Sequence, residues 1–468
     1  MTYAHRAWLA ALVMAAAVAF SLLRIPIQVP DSLVVMLQAQ AAPSASLTHF
    51  MGEQGFLRPI YMAQTRVLLD AAAGEHYVLV FRGFHVALVA LLFVLFVRAL
   101  GVRTGNDFAA FALALVVLTG HHTFRGNVWE SYPVNHYLEI AILCLAALVV
   151  HQSRGGWWAD LAAGVFFVLA SLTLESGLIV WVVVVAGWLV GLRGISWRGV
   201  ALVSVLLAGY FFLRFAYLDT GNPELIDRAT GFGFGRLERD QVAARFADAP
   251  YVLYAYNVMS SILSVLFSEP RGGTWEITRR WVDGEVPPST VVAFVSSTIA
   301  TGLLVWFAAT RWSAWRARRF EPADQLVLVF AAVTAANAAI SYVYVKDEIM
   351  STAGVFYALA VFAAARAALV RFGDSPRRAL ATAALAIVLG TASTAWAIRA
   401  TGLHYHMYYA AYYLRNEWAT VDLWLREQRV DPGTDKGRAL VESLRGAAIR
   451  MPALNPYFLP RWAERWFA

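Results

Sequence analysis

Uninterrupted apolar segments, long enough to cross a lipid bilayer, restrict the fold of this chain more than any other feature. Residues 86–97 (VALVALLFVLFV), 178–190 (LIVWVVVVAGWLV) and 291–309 (VVAFVSSTIATGLLVWFAA) are the clearest examples. A helix needs about 20 apolar residues to span the hydrocarbon core, where its backbone must satisfy its own hydrogen bonds. Only 15% of the 468 residues are charged, against about 25% in soluble proteins. The sequence therefore predicts an all-α polytopic membrane protein.

Eleven segments have the length and hydropathy of membrane spans. They lie at roughly 7–23, 78–97, 107–120, 134–150, 158–174, 177–192, 199–215, 289–310, 324–344, 352–370 and 379–398. Short loops rich in arginine mark the cytoplasmic side of a membrane. Alternate short loops carry the arginines at positions 6, 98, 103, 154, 193, 198, 311, 316, 318, 319, 371, 377 and 378, whereas the opposite short loops hold only Arg125 and Lys346. We therefore expect about 11 transmembrane helices, a cytoplasmic N-terminus and a C-terminus outside.

One further apolar segment, at 251–267, is almost long enough to span the membrane. A span there would invert the charge alternation, so we expect a helix that lies on the membrane or re-enters it. The predicted transmembrane domain is then 1–398, with outer loops 24–77 and 216–288. Residues 399–468 form a C-terminal extracytoplasmic or interfacial segment. Large outer loops on a many-spanned body suggest that the protein works at its outer face.

The charges and the single cysteine limit the remaining possibilities. The net charge of +7 comes almost wholly from arginine, since Lys346 and Lys436 are the only lysines. Arginine is suited to phosphate and carboxylate groups because its planar guanidinium bonds bidentately. Cys144 is the only cysteine, which excludes an intramolecular disulfide and a zinc site built from cysteines. We expect contacts with membrane lipids and no nucleic-acid partner.

Several short motifs follow the first span in a distinctive order. Asp31 comes first, in RIPIQVPDSLVVML (24–37), and is followed by FLRPIY (56–61) and VFRGFHVALVAL (80–91). Then come HHTFRGNVWESYP (121–133) and LTLESGLIVW (172–181). In this order they resemble the integral-membrane glycosyltransferases of the C fold (the GT-C superfamily), closest to the protein O-mannosyltransferase-like and TPR-containing branches. The likeness covers about a third of the chain.

The resemblance implies a GT-C-like fold and a sugar donor carried on polyprenyl phosphate. It also implies that an acidic residue of the first outer loop, here Asp31, is the general base of an inverting displacement. Such a reaction needs a base for the acceptor's proton and cations for the departing phosphate. The candidates for phosphate binding are Arg58, Lys346, Arg82 and Arg271, and those for sugar or acceptor binding are Glu53, Arg125, Glu130 and Glu175. The acceptor would be a glycan, lipid or protein, and the location the bacterial inner membrane.

Each of these residues also has a structural interpretation. Asp31 follows a proline and precedes an apolar segment, which is typical of a helix N-cap. Arg58 binds the donor phosphate or braces a carboxylate such as Glu53. Arg82 contacts phosphate or extends its guanidinium to the membrane surface, and an acid such as Glu175 between two spans must meet an arginine or a ligand.

Two site candidates, Lys346 and Arg271, lie in other outer loops. Lys346 holds a phosphate or pairs with the neighbouring Asp347 or Glu348, and Arg271 meets a lipid phosphate or a membrane headgroup. The adjacent histidines of the 121–133 motif are weak evidence for a metal without nearby carboxylates. We therefore predict no metal site and no cofactor beyond the lipid-linked donor, while a divalent metal is not excluded.

Two other classes of function fit the same features. A transporter or flippase of a lipid-linked substrate would carry charged residues deep inside its spans, and few are present. The second class is a non-catalytic membrane subunit of GT-C-like fold. It fits because Asp31 is followed by Ser32, whereas the enzymes that the sequence resembles often have a second acidic residue there. An O-antigen ligase or polymerase is a further enzymatic alternative.

Overall fold

The chain folds into a bundle of helices. The computed structural model describes residues 1–23, 35, 39, 57–72, 76–128, 134–153, 155–218, 230–231, 235–236, 244, 250–268, 280–284, 286–343, 345, 347–373, 378–416, 433–435, 437–439 and 441–442. The α-helices are α1 (Tyr3–Leu22), α2 (Pro59–Ala72), α3 (Tyr77–Leu100), α4 (Gly105–Gly120), α5 (Phe124–Val128), α6 (His136–Ser153), α7 (Trp157–Ser171), α8 (Ile179–Leu189), α9 (Trp197–Phe211), α10 (Pro250–Phe267), α11 (Pro288–Arg316), α12 (Pro322–Ile340), α13 (Ser351–Gly373) and α14 (Arg378–Asn416).

Shorter elements complete the described fold. Short 3-10 helices at Glu175–Leu178 and Glu348–Met350 lead into α8 and α13, and a π-helical turn at Phe212–Tyr217 extends α9. Two short antiparallel strands, β1 (Thr230–Gly231) and β2 (Gly235–Arg236), pair within the loop before α10.

Within the described part of the chain, eight helical segments are long and apolar enough to cross a membrane, judged by length and composition. They are Tyr3–Leu22, Leu79–Leu100, His136–Ser153, Trp197–Tyr217, Pro288–Arg316, Pro322–Ile340, Glu348–Phe372 and Leu380–Tyr405. An integral membrane protein requires such helices. The predicted spans at 107–120, 158–174 and 177–192 correspond to the shorter apolar helices α4, α7 and α8. The prediction of a helical protein with several membrane-crossing helices is confirmed at this level.

Helix α13 is the centre of the bundle. It packs against α4, α11, α12 and α14, and every residue from Ser351 to Ala365 is buried. Its sequence, STAGVFYALAVFAAARAALV, is apolar on all sides and rich in alanine. A helix that is apolar all round belongs in the interior, and small side chains let neighbouring helices approach closely.

Polar contacts define two opposite ends of the bundle. We call one the arginine end, formed by residues 101–104, 155–156, 190–196 and 317–321. There Arg366 bonds Asp107, and Asp324 receives two hydrogen bonds, of 3.0 and 2.8 Å, from Arg311. The Ser196 hydroxyl donates to Asp160 over 2.6 Å. These pairs compensate the acids that begin α4, α7 and α12.

We call the other end the histidine end, formed by residues 121–128, 134–135, 172–178, 341–343 and 347–350. Helix α10 lies across it. The Asn257 amide donates to the carbonyls of Tyr342 and Val343 over 3.0 Å each, and the Val265 carbonyl accepts a 2.9 Å hydrogen bond from His121. Both halves of α10 thus contact the same end of the bundle, so α10 does not run from one end to the other.

Helix α14 continues beyond its predicted span. It extends through the predicted boundary at residues 398–399 as far as Asn416. Arg399 lies inside the bundle, where it donates hydrogen bonds of 3.0 and 2.8 Å to the hydroxyls of Ser296 and Ser297 in α11. The first residue of the predicted C-terminal segment is therefore part of the helical body.

Candidate functional site

The histidine end collects buried ionisable residues from distant parts of the sequence. At its centre Glu175 lies between two arginines. Arg58 donates to Glu175 Oε2 from Nη2 over 2.7 Å and from Nε over 3.1 Å, and Arg214 Nη1 lies 3.6 Å from Glu175 Oε1. Burial alone would raise the pKa of Glu175, but Arg58 and Arg214 outweigh it and hold that pKa below its usual value.

Local structure explains how Arg58 reaches Glu175. Pro59 begins α2, which places Arg58 immediately before the helix. The Ile60 N–H donates to the Leu172 carbonyl over 3.2 Å and fixes α2 to the end of α7. Glu175 opens the 3-10 helix that leads into α8. The pair thus joins the FLRPIY and LTLESGLIVW motifs.

A second group of polar residues surrounds the first turns of α3. Arg82 is only 1% exposed, and its Nη1 lies 3.5 Å from His85 Nδ1. The other ring nitrogen, His85 Nε2, lies 2.9 Å from the Asn127 carbonyl, and the Asn135 amide donates to the Gly126 carbonyl over 2.9 Å. Since arginine only donates, His85 accepts at Nδ1 and donates from Nε2. Arg82 therefore lies in the protein interior, and its extension to the membrane surface is wrong.

A third group links the two histidines of the 121–133 motif to α10 and α14. Thr123 donates to His121 Nδ1 from its N–H over 3.3 Å, and His121 Nε2 donates to the Val265 carbonyl. The hydroxyl of Ser268 accepts from Arg399 over 2.7 Å and from the His122 N–H over 3.2 Å. These bonds hold the C-terminal end of α10 in the bundle.

Burial controls the ionisation of these histidines. It lowers the pKa of His121 to about 3 and lowers that of His122 well below its ordinary value, because the charged ring would lose its hydration. Because burial is the largest effect, both rings are neutral near pH 7, although His122 Nε2 lies 3.7 Å from Asp347 Oδ1.

Arginine is the charged residue that recurs at the histidine end. Among the described residues, no group of three or more His, Cys, Asp or Glu side chains is placed to hold a metal ion. Arginines at positions 58, 82, 125, 214 and 399 contribute to this end of the bundle. Buried or half-buried guanidinium groups are suited to phosphate and carboxylate recognition.

The predicted site residues divide into two sets. Asp31, Glu53, Glu130, Arg271 and Lys346 lie outside the described residues. Arg58, Arg82 and Glu175 are placed as given above, and Arg125 is half-buried in α5, close enough to His122 to lower its pKa. All four described candidates belong to the histidine end.

Three further residues of this end were not predicted from the sequence, namely Arg214, Arg399 and His136. Arg214 and Arg399 each lie near the end of an apolar segment predicted to reach the outer face, and an arginine there is a usable signal. His136 begins α6, and its ring centroid lies 5.3 Å from that of Tyr61. No pattern in the sequence links Tyr61 to His136.

Comparisons of the chain with protein-family models, with curated proteins and with solved structures found no match.

Proposed function

We propose that this protein is a GT-C-like membrane glycosyltransferase. It transfers a sugar from a polyprenyl-phosphate donor to a glycan, lipid or protein acceptor at the outer face of a bacterial inner membrane. In this proposal eleven helices span the membrane, namely the eight long apolar segments with α4, α7 and α8. The N-terminus is cytoplasmic, the C-terminus lies outside, and the histidine end faces outward.

One observation carries the proposal: four motifs of the resemblance meet at the histidine end. Arg58 of FLRPIY pairs with Glu175 of LTLESGLIVW, 117 residues away. His85 of the α3 motif bonds the carbonyl of Asn127 in the 121–133 motif. Residues that bind one ligand must lie close together, and the contacts between these four motifs meet that requirement.

Helix α1, which precedes Asp31 in the sequence, points toward this end. Tyr3 of α1 packs on Phe108 near the start of α4, with ring centroids 6.3 Å apart, and α1 packs along α3 and α4. Helix α1 therefore ends at Leu22 on the side where α4 meets His121. Seven residues separate Leu23 from Asp31, so the distance between their Cα atoms is at most about 29 Å.

The chemistry follows from these charges. Asp31 accepts the proton of the acceptor hydroxyl, whose oxygen attacks the anomeric carbon of the donor. The bond from that carbon to the phosphate oxygen breaks, and polyprenyl phosphate leaves. Arg58, Arg82, Arg271 and Lys346 stabilise the negative charge that develops on the phosphate. Glu53, Arg125, Glu130 and Glu175 orient the sugar and the acceptor.

The test uses membranes that contain the protein, supplied with polyprenyl phosphate bearing one labelled sugar at a time. We expect sugar transfer by the wild type and a loss of about 100-fold or more with Asp31→Asn, as removal of a general base implies. Ser32→Ala is the matched control, because it alters the neighbouring cap residue and retains the carboxylate. Full transfer by Asp31→Asn would exclude Asp31 as the base.

If the wild type transfers no sugar from any such donor, the enzymatic proposal is wrong. The non-catalytic subunit and the lipid-linked-substrate transporter would then be preferred.

A further inference from the structure

Glu139 is a buried carboxyl whose hydrogen-bonding capacity is unused within the described part of the chain. It lies in the first turn of α6 and is only 5% exposed. Neither Glu139 Oε1 nor Oε2 accepts a hydrogen bond, and the described residues place no ion pair on it. A buried carboxyl without a partner costs several kcal/mol, so this one calls for a ligand or a functional role.

Gln64 of α2 lies beside Glu139 and has the same property. Its side-chain oxygen is buried and accepts no hydrogen bond, and its amide is the hydrogen-bonding group next to the carboxyl. The two side chains make no hydrogen bond of normal length and angle with each other. Three buried oxygens, two on Glu139 and one on Gln64, therefore lack a hydrogen bond of normal geometry.

The position of this pair relates it to the Arg58–Glu175 pair. Tyr61 and Gln64 lie three residues apart on one side of α2, and Arg58 immediately precedes that helix. His136 and Glu139 share one side of α6 in the same way. Tyr61 contacts His136, and the charge of Arg58 acts on His136. Gln64 and Glu139 thus lie about one turn beyond the Tyr61–His136 contact.

We propose that Gln64 and Glu139 form a subsite for hydroxyl groups and bind the sugar of the lipid-linked donor. Three oxygen acceptors need O–H or N–H donors, and a sugar carries several hydroxyls. This proposal rests on the proposed function, because a donor phosphate bound at Arg58 would place its sugar toward the Tyr61–His136 contact and the subsite beyond it. A hydrogen bond to a carboxylate contributes about 1.5–3 kcal/mol.

The test compares two ligands in nanodiscs that contain the full chain. One is polyprenyl phosphate, and the other is polyprenyl phosphate bearing glucose, galactose or mannose. We expect the wild type to bind at least one sugar-bearing form more tightly than the bare phosphate. Glu139→Leu should weaken binding of that form about tenfold or more and leave binding of bare polyprenyl phosphate within about twofold.

Two variants and one control complete the design. Glu139→Gln and Gln64→Leu change the subsite with less risk to folding, and each should lower the preference for the sugar-bearing form. Asp70→Asn is the matched control on α2, because Asp70 is exposed and its partner is Arg66.

The outcomes separate this inference from the proposed function. A wild type that binds neither ligand contradicts both. A wild-type preference that persists in all three subsite variants overturns the sugar subsite and leaves the glycosyltransferase proposal standing. Equal loss of both ligands in the variants assigns Glu139 and Gln64 a structural role and also overturns the subsite.

Discussion

The Arg58–Glu175 pair makes a quantitative prediction about stability. Its side chains are 20% and 19% exposed, so the pair is intermediate between surface and buried ion pairs. Exposed pairs contribute about 0.2–1 kcal/mol, and disruption of a buried pair costs about 3–5 kcal/mol. We therefore expect Glu175→Gln to lower the free energy of unfolding by about 2 kcal/mol. A double-mutant cycle with Arg58→Met should give a coupling energy of about 1–2 kcal/mol.

The assay uses Cys144, the only cysteine of the chain, which is fully buried. Its reaction with a thiol-reactive dye in mixed detergent micelles reports unfolding. The matched control is the pair of Arg66 and Asp70 on α2, which is joined over 3.0 Å and is more exposed, at 33% and 62%. Its coupling should be at most about 0.5 kcal/mol. Equal coupling in the two pairs would refute the argument that burial strengthens the Glu175 contact.

The pH dependence of this coupling has a defined sign. Arg58 and Arg214 overcome the effect of burial and lower the pKa of Glu175 from 4.5. The stabilisation is therefore complete above about pH 4.5 and is lost as the pH falls through the lower pKa of the folded state. A coupling energy that increases on acidification would contradict this assignment.

Three further perturbations test other parts of the fold through the same dye reaction. Gly177→Ala should lower the free energy of unfolding by about 3 kcal/mol or more, because the added Cβ would overlap the Ala170 carbonyl. Gly83→Ala is the control and should be nearly neutral, because a Cβ there meets no atom within 4 Å. Burial lowers the pKa of His121 to about 3 in the folded protein, so the free energy of unfolding should fall as the pH drops from about 6.5 to 3. If His121→Asn leaves the slope of that free energy against pH unchanged, the prediction is wrong. Asp324→Asn should destabilise the arginine end without changing donor binding, and a large loss of donor binding would show that the two ends are coupled.

The sequence predicted the helices well where hydropathy alone determines them. Long apolar segments such as 291–309 became helices because a backbone in hydrocarbon has no other partner for its hydrogen bonds. The apolar segment at 251–267 also became a helix, α10, and its placement on the membrane or re-entry into it stays a prediction. The prediction that the arginine end faces the cytoplasm stays a prediction.

Other features could not be predicted, for identifiable reasons. Helix α2 mixes polar and apolar residues and has no span-like hydropathy, so it was not predicted within the outer loop 24–77. The pairing of Arg58 with Glu175 depends on the docking of α2 against α7. Arg399 lies within a helix that continues past its apolar part. Hydropathy identifies the segments that avoid water, but tertiary packing selects the contacts between them.

Photocrosslinking tests the central claim most directly. A polyprenyl-phosphate sugar with a photoreactive group on its sugar would be irradiated with the wild-type protein in nanodiscs, and the labelled peptides identified by mass spectrometry. We predict labelling of residues 57–64, 121–139 and 172–178 at the histidine end, suppressed by excess unlabelled donor. Labelling confined to the arginine end, or labelling unaffected by the competitor, would contradict a donor site at the histidine end.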